Sequence, residues 1–250
     1  MQNRILLGML AAAWCAAAAA APHAAQHWSY QGNESPAHWG GLSEAYALCR
    51  SGKNQSPVDL AKALHSSVDT VAFGYLPQRY EVENNGHTVE AKPQGREQTL
   101  AIGGKQFVLK QFHFHTPSEH TFKGRHFPME AHFVHQTADG ELAVVAVMFE
   151  EGRANPALAP LLADKLKPGQ SADLAQALDI MPLFPANRAH FRLNGSLTTP
   201  PCSEGVYWVV METPVSAAKA QIAAMHDIIG YANNRPLQPL NARVVVEEAE

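Results

Sequence analysis

The stretch Gln111-Phe112-His113-Phe114-His115 alternates nitrogen-bearing and aromatic side chains. On an extended strand, residues two apart face the same way. His113 and His115 therefore project together with Gln111 beside them, while Phe112 and Phe114 turn toward a core. Two imidazoles roughly 6–7 Å apart at Cβ can converge on one metal ion through bonds near about 2.0–2.1 Å. A second strand-like stretch, Met129 to His135, puts Glu130, His132 and Val134 on one face. If the two strands are neighbours, His132 completes a three-histidine set. Glu130 can then accept the other ring N–H of a ligand imidazole, which fixes the tautomer and raises ligand basicity. Three neutral nitrogens leave a divalent ion its full charge and an open fourth position, the arrangement that acidifies bound water. Any one of the thirteen histidines is more often a surface or hydrogen-bonded core residue than a ligand. The combination with Gln111 and Glu130 is what points to a metal.

Spacing alone admits a rival. His113-x-His115-x-x-x-Glu119 fits the two-His, one-Glu motif of cupins, β-barrels that bind iron or manganese. The second half of that pattern, a Gly- and Pro-containing turn followed by His and Asn, does not occur after residue 120. Without further context Glu119 reads as an N-cap or surface residue.

The elements that must hold these residues read as β from about residue 70 to 150. Thr99 to Ile102 and Lys105 to Phe114 flank Gly103-Gly104, a two-residue hairpin signal. Met129 to Gln136 and Glu141 to Phe149 flank Ala138-Asp139-Gly140, a second one. Leu142 to Phe149 is almost wholly apolar, as expected of a strand buried on both faces. Val206 to Met211 reads as another central strand and Arg243 to Val246 as extended. Residues 26–60, rich in Trp, Gly, Ser and Pro, read as surface-hugging loops. Short helices are predicted over 157–166 and 172–178, and a longer one from Pro214 to Ile229, ending at Gly230. The fold class is therefore mainly β (α+β): a largely antiparallel sheet with short peripheral helices.

At the N-terminus, a weakly positive start, an uncharged apolar run from Ile5 to Ala21 and a small-residue exit read as a secretory signal peptide over 1–25, cleaved between about 20 and 25. An uncleaved anchor is the alternative, since the run approaches the shortest membrane spans. Residues 26–250 then form a single domain, with no second long apolar stretch. Removing the leader leaves Cys49 and Cys202, which in an oxidising compartment are most simply a disulfide, with two unrelated buried thiols as the alternative. A net charge of −4 without a Lys/Arg cluster argues against nucleic acid or an anionic membrane as partner.

Taken in order, the motifs resemble those of α-class carbonic anhydrases of the bacterial exported type, across nearly the whole chain after the leader. They run from His27-Trp28-Ser29-Tyr30 through Gln55-Ser56-Pro57-Val58, Asn84-Asn85-Gly86-His87, Gln111 to His115, Ser118-Glu119-His120-Thr121, Glu130 to His135, Leu197 to Cys202 and Asn234-Arg235-Pro236 to Gln238-Pro239-Leu240. The resemblance speaks against a cupin. It implies a central twisted, mixed β-sheet and reversible hydration of carbon dioxide to bicarbonate and a proton, in the periplasm or outside the cell.

It further implies zinc on His113, His115 and His132. Glu119 becomes the acceptor for the Thr198 hydroxyl, leaving that oxygen to accept from, and aim, a zinc-bound hydroxide. Thr198 N–H would bind anionic inhibitors and Thr199 would contact bicarbonate. Val134, Val144, Leu197 and Trp208 would form the apolar wall for carbon dioxide. His87 matches the proton shuttle, Tyr30 the solvent network, and the Asn233 carbonyl a partner of the His115 ring. Cys49–Cys202 matches the disulfide of this branch, tethering the N-terminal loops to the Thr198–Thr199 turn. Homodimers are usual there, with no membrane contact after leader cleavage. Ser29 stands where Gly is common, and Thr116-Pro117-Ser118 replaces a longer, Trp-containing turn. A non-catalytic binding module on the same fold, and hydrolysis of small esters as a side activity, are the rival readings. The presence of all three histidines, Glu119 and Thr198 argues against the first.

Overall fold

Alternating and continuous apolar runs pair along the chain into one thirteen-stranded sheet in the computed structural model, which describes residues 26–66 and 71–249. The predicted leader lies outside the described residues. In chain order the strands are β1 (Leu64–Ser66), β2 (Val71–Gly74), β3 (Arg79–Asn84), β4 (Val89–Gln94), β5 (Thr99–Ile102), β6 (Lys105–His115), β7 (Met129–Gln136), β8 (Leu142–Glu151), β9 (Gln170–Asp173), β10 (His190–Ser196), β11 (Glu204–Met211), β12 (Val215–Ala217) and β13 (Val246–Glu248). They lie side by side as β1-β13-β10-β11-β8-β7-β6-β4-β3-β9, with β12 alongside β8 and β5 joining β2 to β6. Pairing is parallel at β1–β13, β8–β11 and β8–β12 and antiparallel elsewhere among the described residues. The sheet is thus mixed and largely antiparallel, as the sequence predicts.

Both predicted hairpins form. Gly103 and Gly104 take φ of +54° and +81°, the two positive values a type I′ turn requires, and Ile102 faces Lys105 across it. The second closes with Gln136 opposite Leu142. The apolar run of β8 is explained by burial on both faces. Ala143, Val145, Val147 and Phe149 enter one core, and Val144, Ala146 and Met148 enter another on the opposite side. On the first side Phe112 of β6 stacks on Phe133 of β7, its register partner, with ring centroids 5.1 Å apart. Each such buried ring contributes about 1.5–3 kcal/mol through removal from water.

A bulge in β6 decides where the histidines go. The register steps from Leu109↔His135 to Gln111↔Val134, leaving Lys110 as the extra residue. Phe107 and Leu109 before it, and Phe112 and Phe114 after it, all point into the first core. Without the inserted residue, alternation would carry Gln111, His113 and His115 into that core instead.

Among the described residues four α-helices lie outside the sheet: α1 (Trp39–Leu42), α2 (Leu48–Ser51), α3 (Leu158–Leu162) and α4 (Lys219–Ile229). Four sequence expectations need correction. Residues 172–178 are not helical: Gln170–Asp173 pairs antiparallel with β3 as an edge strand, and Leu174 and Leu178 beyond it bond to the Tyr80 and Gln78 carbonyls, so pairing overrides the helical composition. The helix predicted from Pro214 begins only at Lys219, after β12 has paired with β8, and it ends as expected at Gly230, φ +86°. The extended tail pairs at Val246–Glu248, later than Arg243 to Val246, and α3 fills only part of 157–166.

Candidate metal centre

Antiparallel register sets His113 directly opposite His132 and His115 opposite Glu130, all on the face away from the first core. The three imidazoles converge, with ring centroids 5.0 Å (His113–His115), 5.4 Å (His113–His132) and 4.5 Å (His115–His132) apart. One nitrogen of each lies within 4.8 Å of the others. The second nitrogen of each ring is already engaged. His113 Nδ1 meets Gln111 Oε1 at 2.8 Å, His115 Nδ1 the Asn233 carbonyl at 2.7 Å, and His132 Nε2 Glu130 Oε1 at 2.8 Å. These acceptors hold each ring proton on the outer nitrogen and turn a lone pair inward. His115 Nε2 is buried with no hydrogen-bond partner among the described residues, an expensive arrangement unless an ion sits there. The donor set, three imidazole nitrogens, suits zinc. Burial first, then His115 and His132, hold His113 well below the ordinary imidazole value, and burial also lowers His115. Both rings are thus kept neutral, as ligands must be.

A second group, His120, Glu130 and His132, also lies close together. Its contacts are hydrogen bonds rather than a cage for an ion. Glu130 Oε1 meets both rings at 2.8 Å, and Oε2 accepts the N–H groups of Glu119 at 2.6 Å and His120 at 2.9 Å. Burial opposes the Glu130 charge, yet His120 and His132 hold its carboxyl well below the usual range.

Beside the three histidines, Glu119 is fully buried. Its Oε1 accepts the Arg235 N–H at 2.7 Å. Oε2 has no hydrogen-bond partner among the described residues and lies 3.6 Å from His115 Nε2 and 3.9 Å from His132 Nδ1. Thr198 is buried, and Thr199 lines a cleft of about 100 Å³ with Tyr30, His87, His113 and His115. The turn carrying both threonines closes with Cys202 N–H on the Thr199 carbonyl at 2.8 Å. It is fixed from outside by the Cys49–Cys202 disulfide and by Gln55, whose Nε2 donates to the Cys202 carbonyl at 3.0 Å.

The apolar residues follow from register. Val134 faces Val144, Val144 faces Trp208, and Trp208 faces Leu193, in one row across β7, β8, β11 and β10. Gln111 starts that row on β6, one alternation from His113. Val144 and Trp208 belong to the second core, with Val134 and Leu197 packed against it. Gly195 lets the row close: a Cβ there would come within 2.7 Å of Trp208 Cδ1.

His87 stacks on Trp28, centroids 3.8 Å apart at 8°, and its Nδ1 is buried without a hydrogen-bond partner among the described residues. Burial, then His27, lowers its pKa from 6.5. Tyr30 packs edge-on to Trp28 and Trp39 at 5.6 and 5.5 Å, and burial, then Glu119, raises its phenol well above 10.0.

Several side-chain roles gave no signal in the sequence. The Asn233 side chain accepts from Thr116 N–H at 2.8 Å and donates to the carbonyls of His87 at 3.0 Å and Phe114 at 2.9 Å, so one amide braces the His87 turn against β6. Thr88 Oγ1 makes a second brace to Phe114. Buried Arg235 donates to the Ser56 and Cys49 carbonyls at 2.8 and 3.0 Å. The resemblance marked Asn233 for its carbonyl alone, and Arg235 only as part of Asn234-Arg235-Pro236.

Comparison with known proteins agrees along the chain. The family described as eukaryotic-type carbonic anhydrase matches residues 34–249. A carbonic anhydrase of Neisseria gonorrhoeae is 45% identical over 241 residues, 93% of this chain and 93% of that protein. The structure of a Photobacterium profundum α-carbonic anhydrase is 49% identical with a TM-score of 0.84, over 88% of this chain and 100% of that one. The Thermovibrio ammonificans α-carbonic anhydrase, solved in complex with the inhibitor sulfanilamide, is 44% identical with a TM-score of 0.86, over 89% and 100%.

Proposed function

The chain belongs to the eukaryotic-type, α-class carbonic anhydrase family, and from that premise we propose how its residues carry out the reversible hydration of carbon dioxide. His113 and His115 through Nε2, and His132 through Nδ1, hold zinc. The observation that carries this is the convergence of three nitrogens whose opposite ring atoms are all engaged by Gln111, Asn233 and Glu130. Zinc, when bound, supplies the Lewis acidity that makes a nucleophilic oxygen available from water near neutral pH.

The remaining work falls to the chain. Glu119, with Oε1 committed to Arg235, offers Oε2 as acceptor for the Thr198 hydroxyl. A hydroxyl that donates to a carboxylate can only accept from the nucleophile, which directs a lone pair at the substrate carbon. Val134, Val144, Leu197 and Trp208 give carbon dioxide a dry surface beside that oxygen, and Thr199 contacts the bicarbonate formed. His87 receives the released proton and passes it to buffer; burial keeps its imidazole neutral and ready to accept. Tyr30, held as a neutral phenol, orders water in the same cleft.

Chelator-stripped protein and His113→Ala protein are expected to lose hydration in a stopped-flow assay, with added zinc restoring only the former. Undiminished activity in either form would end the assignment. His87→Ala should slow turnover chiefly in weak buffer, with added imidazole recovering part of the loss; turnover indifferent to buffer would remove the shuttle. The leader-like composition of residues 1–25 and the Cys49–Cys202 bond support export to the periplasm or beyond. A homodimer, usual in the bacterial branch, is the proposed assembly, to be read by sedimentation. Among the described residues no helix is long and apolar enough to cross a membrane.

A further inference from the structure

His120 lies outside the ligand set, yet it is fully buried against the set's only carboxylate-held ring. Its Nδ1 lies 2.8 Å from Glu130 Oε1, the same oxygen that His132 Nε2 meets at 2.8 Å. Its Nε2 is buried without a hydrogen-bond partner among the described residues, so the ring proton belongs on Nδ1, and Nδ1 donates. Glu130 Oε2 is pinned by two backbone donors, the N–H groups of Glu119 and of His120 itself. Two donors on one oxygen still let the carboxylate pivot about that oxygen and carry Oε1 away from His132. The His120 ring supplies the donor that stops the pivot. It is itself immobilised by Trp208, ring centroids 4.7 Å apart, and Trp208 lies 4.9 Å from the His132 ring.

We infer that His120 is a positioning residue for the metal: through Glu130 it holds the His132 ring with Nδ1 turned toward His113 and His115. The inference rests on the reading above that these three residues hold zinc. Loss of an outer partner is known to cost zinc sites, those of carbonic anhydrases included, about 10–100-fold in metal affinity. One bond further out, roughly tenfold is expected.

Three substitutions separate the donor from the bulk. In His120→Asn the amide nitrogen takes the place of Nδ1 and keeps the bond to Glu130. In His120→Gln it takes the place of Nε2 and loses that bond, while His120→Leu keeps volume against Trp208 and has no donor. The zinc affinity of each full-length protein, measured by competition with a chromophoric chelator at neutral pH, reads the outcome. His120→Asn should stay within about twofold of wild type, and the Gln and Leu proteins should bind roughly tenfold more weakly. If the Leu protein fails to fold, the Asn–Gln contrast carries the test. A merely structural role would lower the melting temperature of the metal-free variants and leave the affinity of the folded ones unmoved. Equal affinities in all folded variants, beside normal binding by wild type, overturn this inference alone. A wild-type chain that binds no zinc overturns the reading of the site as well.

Discussion

Glu119 shows how a residue's chemistry depends on neighbours that its own sequence position does not reveal. Its spacing from His113 and His115 fits a ligand, and its loop context fits a cap. In the fold it is a buried carboxylate with one oxygen on Arg235 N–H and the other facing the histidines. On the proposed reading, Glu119→Gln should give its carbonyl to Arg235 and turn an NH2 group toward Thr198, a donor where that reading calls for an acceptor. Carbon dioxide hydration is then expected to fall by about 10²–10³, the usual cost of one lost preorganised transition-state hydrogen bond. Zinc affinity should hardly change. Stopped-flow rates within tenfold of wild type, in protein that retains zinc, would sink the role. Period-two alternation made His113, His115 and Gln111 legible as a set, because strand geometry is local. Asn233 could not be reached that way: its partners lie more than a hundred residues away in the chain, and a loop amide has no periodicity.

The elements that carry these residues were legible where turn chemistry is local and obscure where pairing is distant. Gly103-Gly104 and the alternation around it specify a hairpin on their own. The stretch after Gly169 has helical composition but becomes β9 because the edge of β3 is there to pair with it. The Lys110 bulge is the least visible feature and has the largest consequence, since one residue exchanges the two faces of β6. Deleting Lys110 should therefore force a choice. Either His113 and His115 turn into the first core and Phe112 and Phe114 into the cleft, or the strand loses its pairing. Zinc binding should vanish in both cases. Lys110→Ala keeps the backbone insertion and removes only an exposed side chain, so stability should change by no more than about 0.5 kcal/mol, with zinc retained. Calorimetry with zinc titration compares the two proteins. A Lys110 deletion that still binds zinc would show that the bulge does not set the face.

Across the whole molecule, stability rests on two cores separated by the sheet and on cross-links between distant segments. The Cys49–Cys202 bond closes 153 residues of chain, which in the chain-entropy model stabilises by about 5 kcal/mol. A fold that buries neutral histidines is also sensitive to acid, and His135 states the case most simply. It lies on β7 facing the first core, fully buried, with Nε2 2.6 Å from the Tyr75 hydroxyl. Burial drives its pKa from 6.5 to about 3. The unfolded chain therefore binds one more proton here than the folded chain between these values, and stability rises with pH across that window. The contribution is whole above pH 6.5 and is lost progressively as pH falls toward 3. At about 1.4 kcal/mol per pH unit, lowering the pH from about 7.5 to about 5 should remove roughly 2 kcal/mol through His135 alone. The lowered values of His87, His113 and His115 act in the same direction, so metal-free protein should lose more than this in total. His135→Gln leaves an amide oxygen for Tyr75 and nothing to titrate. Urea unfolding of metal-free protein at the two pH values should show that variant losing roughly 2 kcal/mol less than wild type. Equal losses in the two proteins would mean that His135 is not the group through which acid acts.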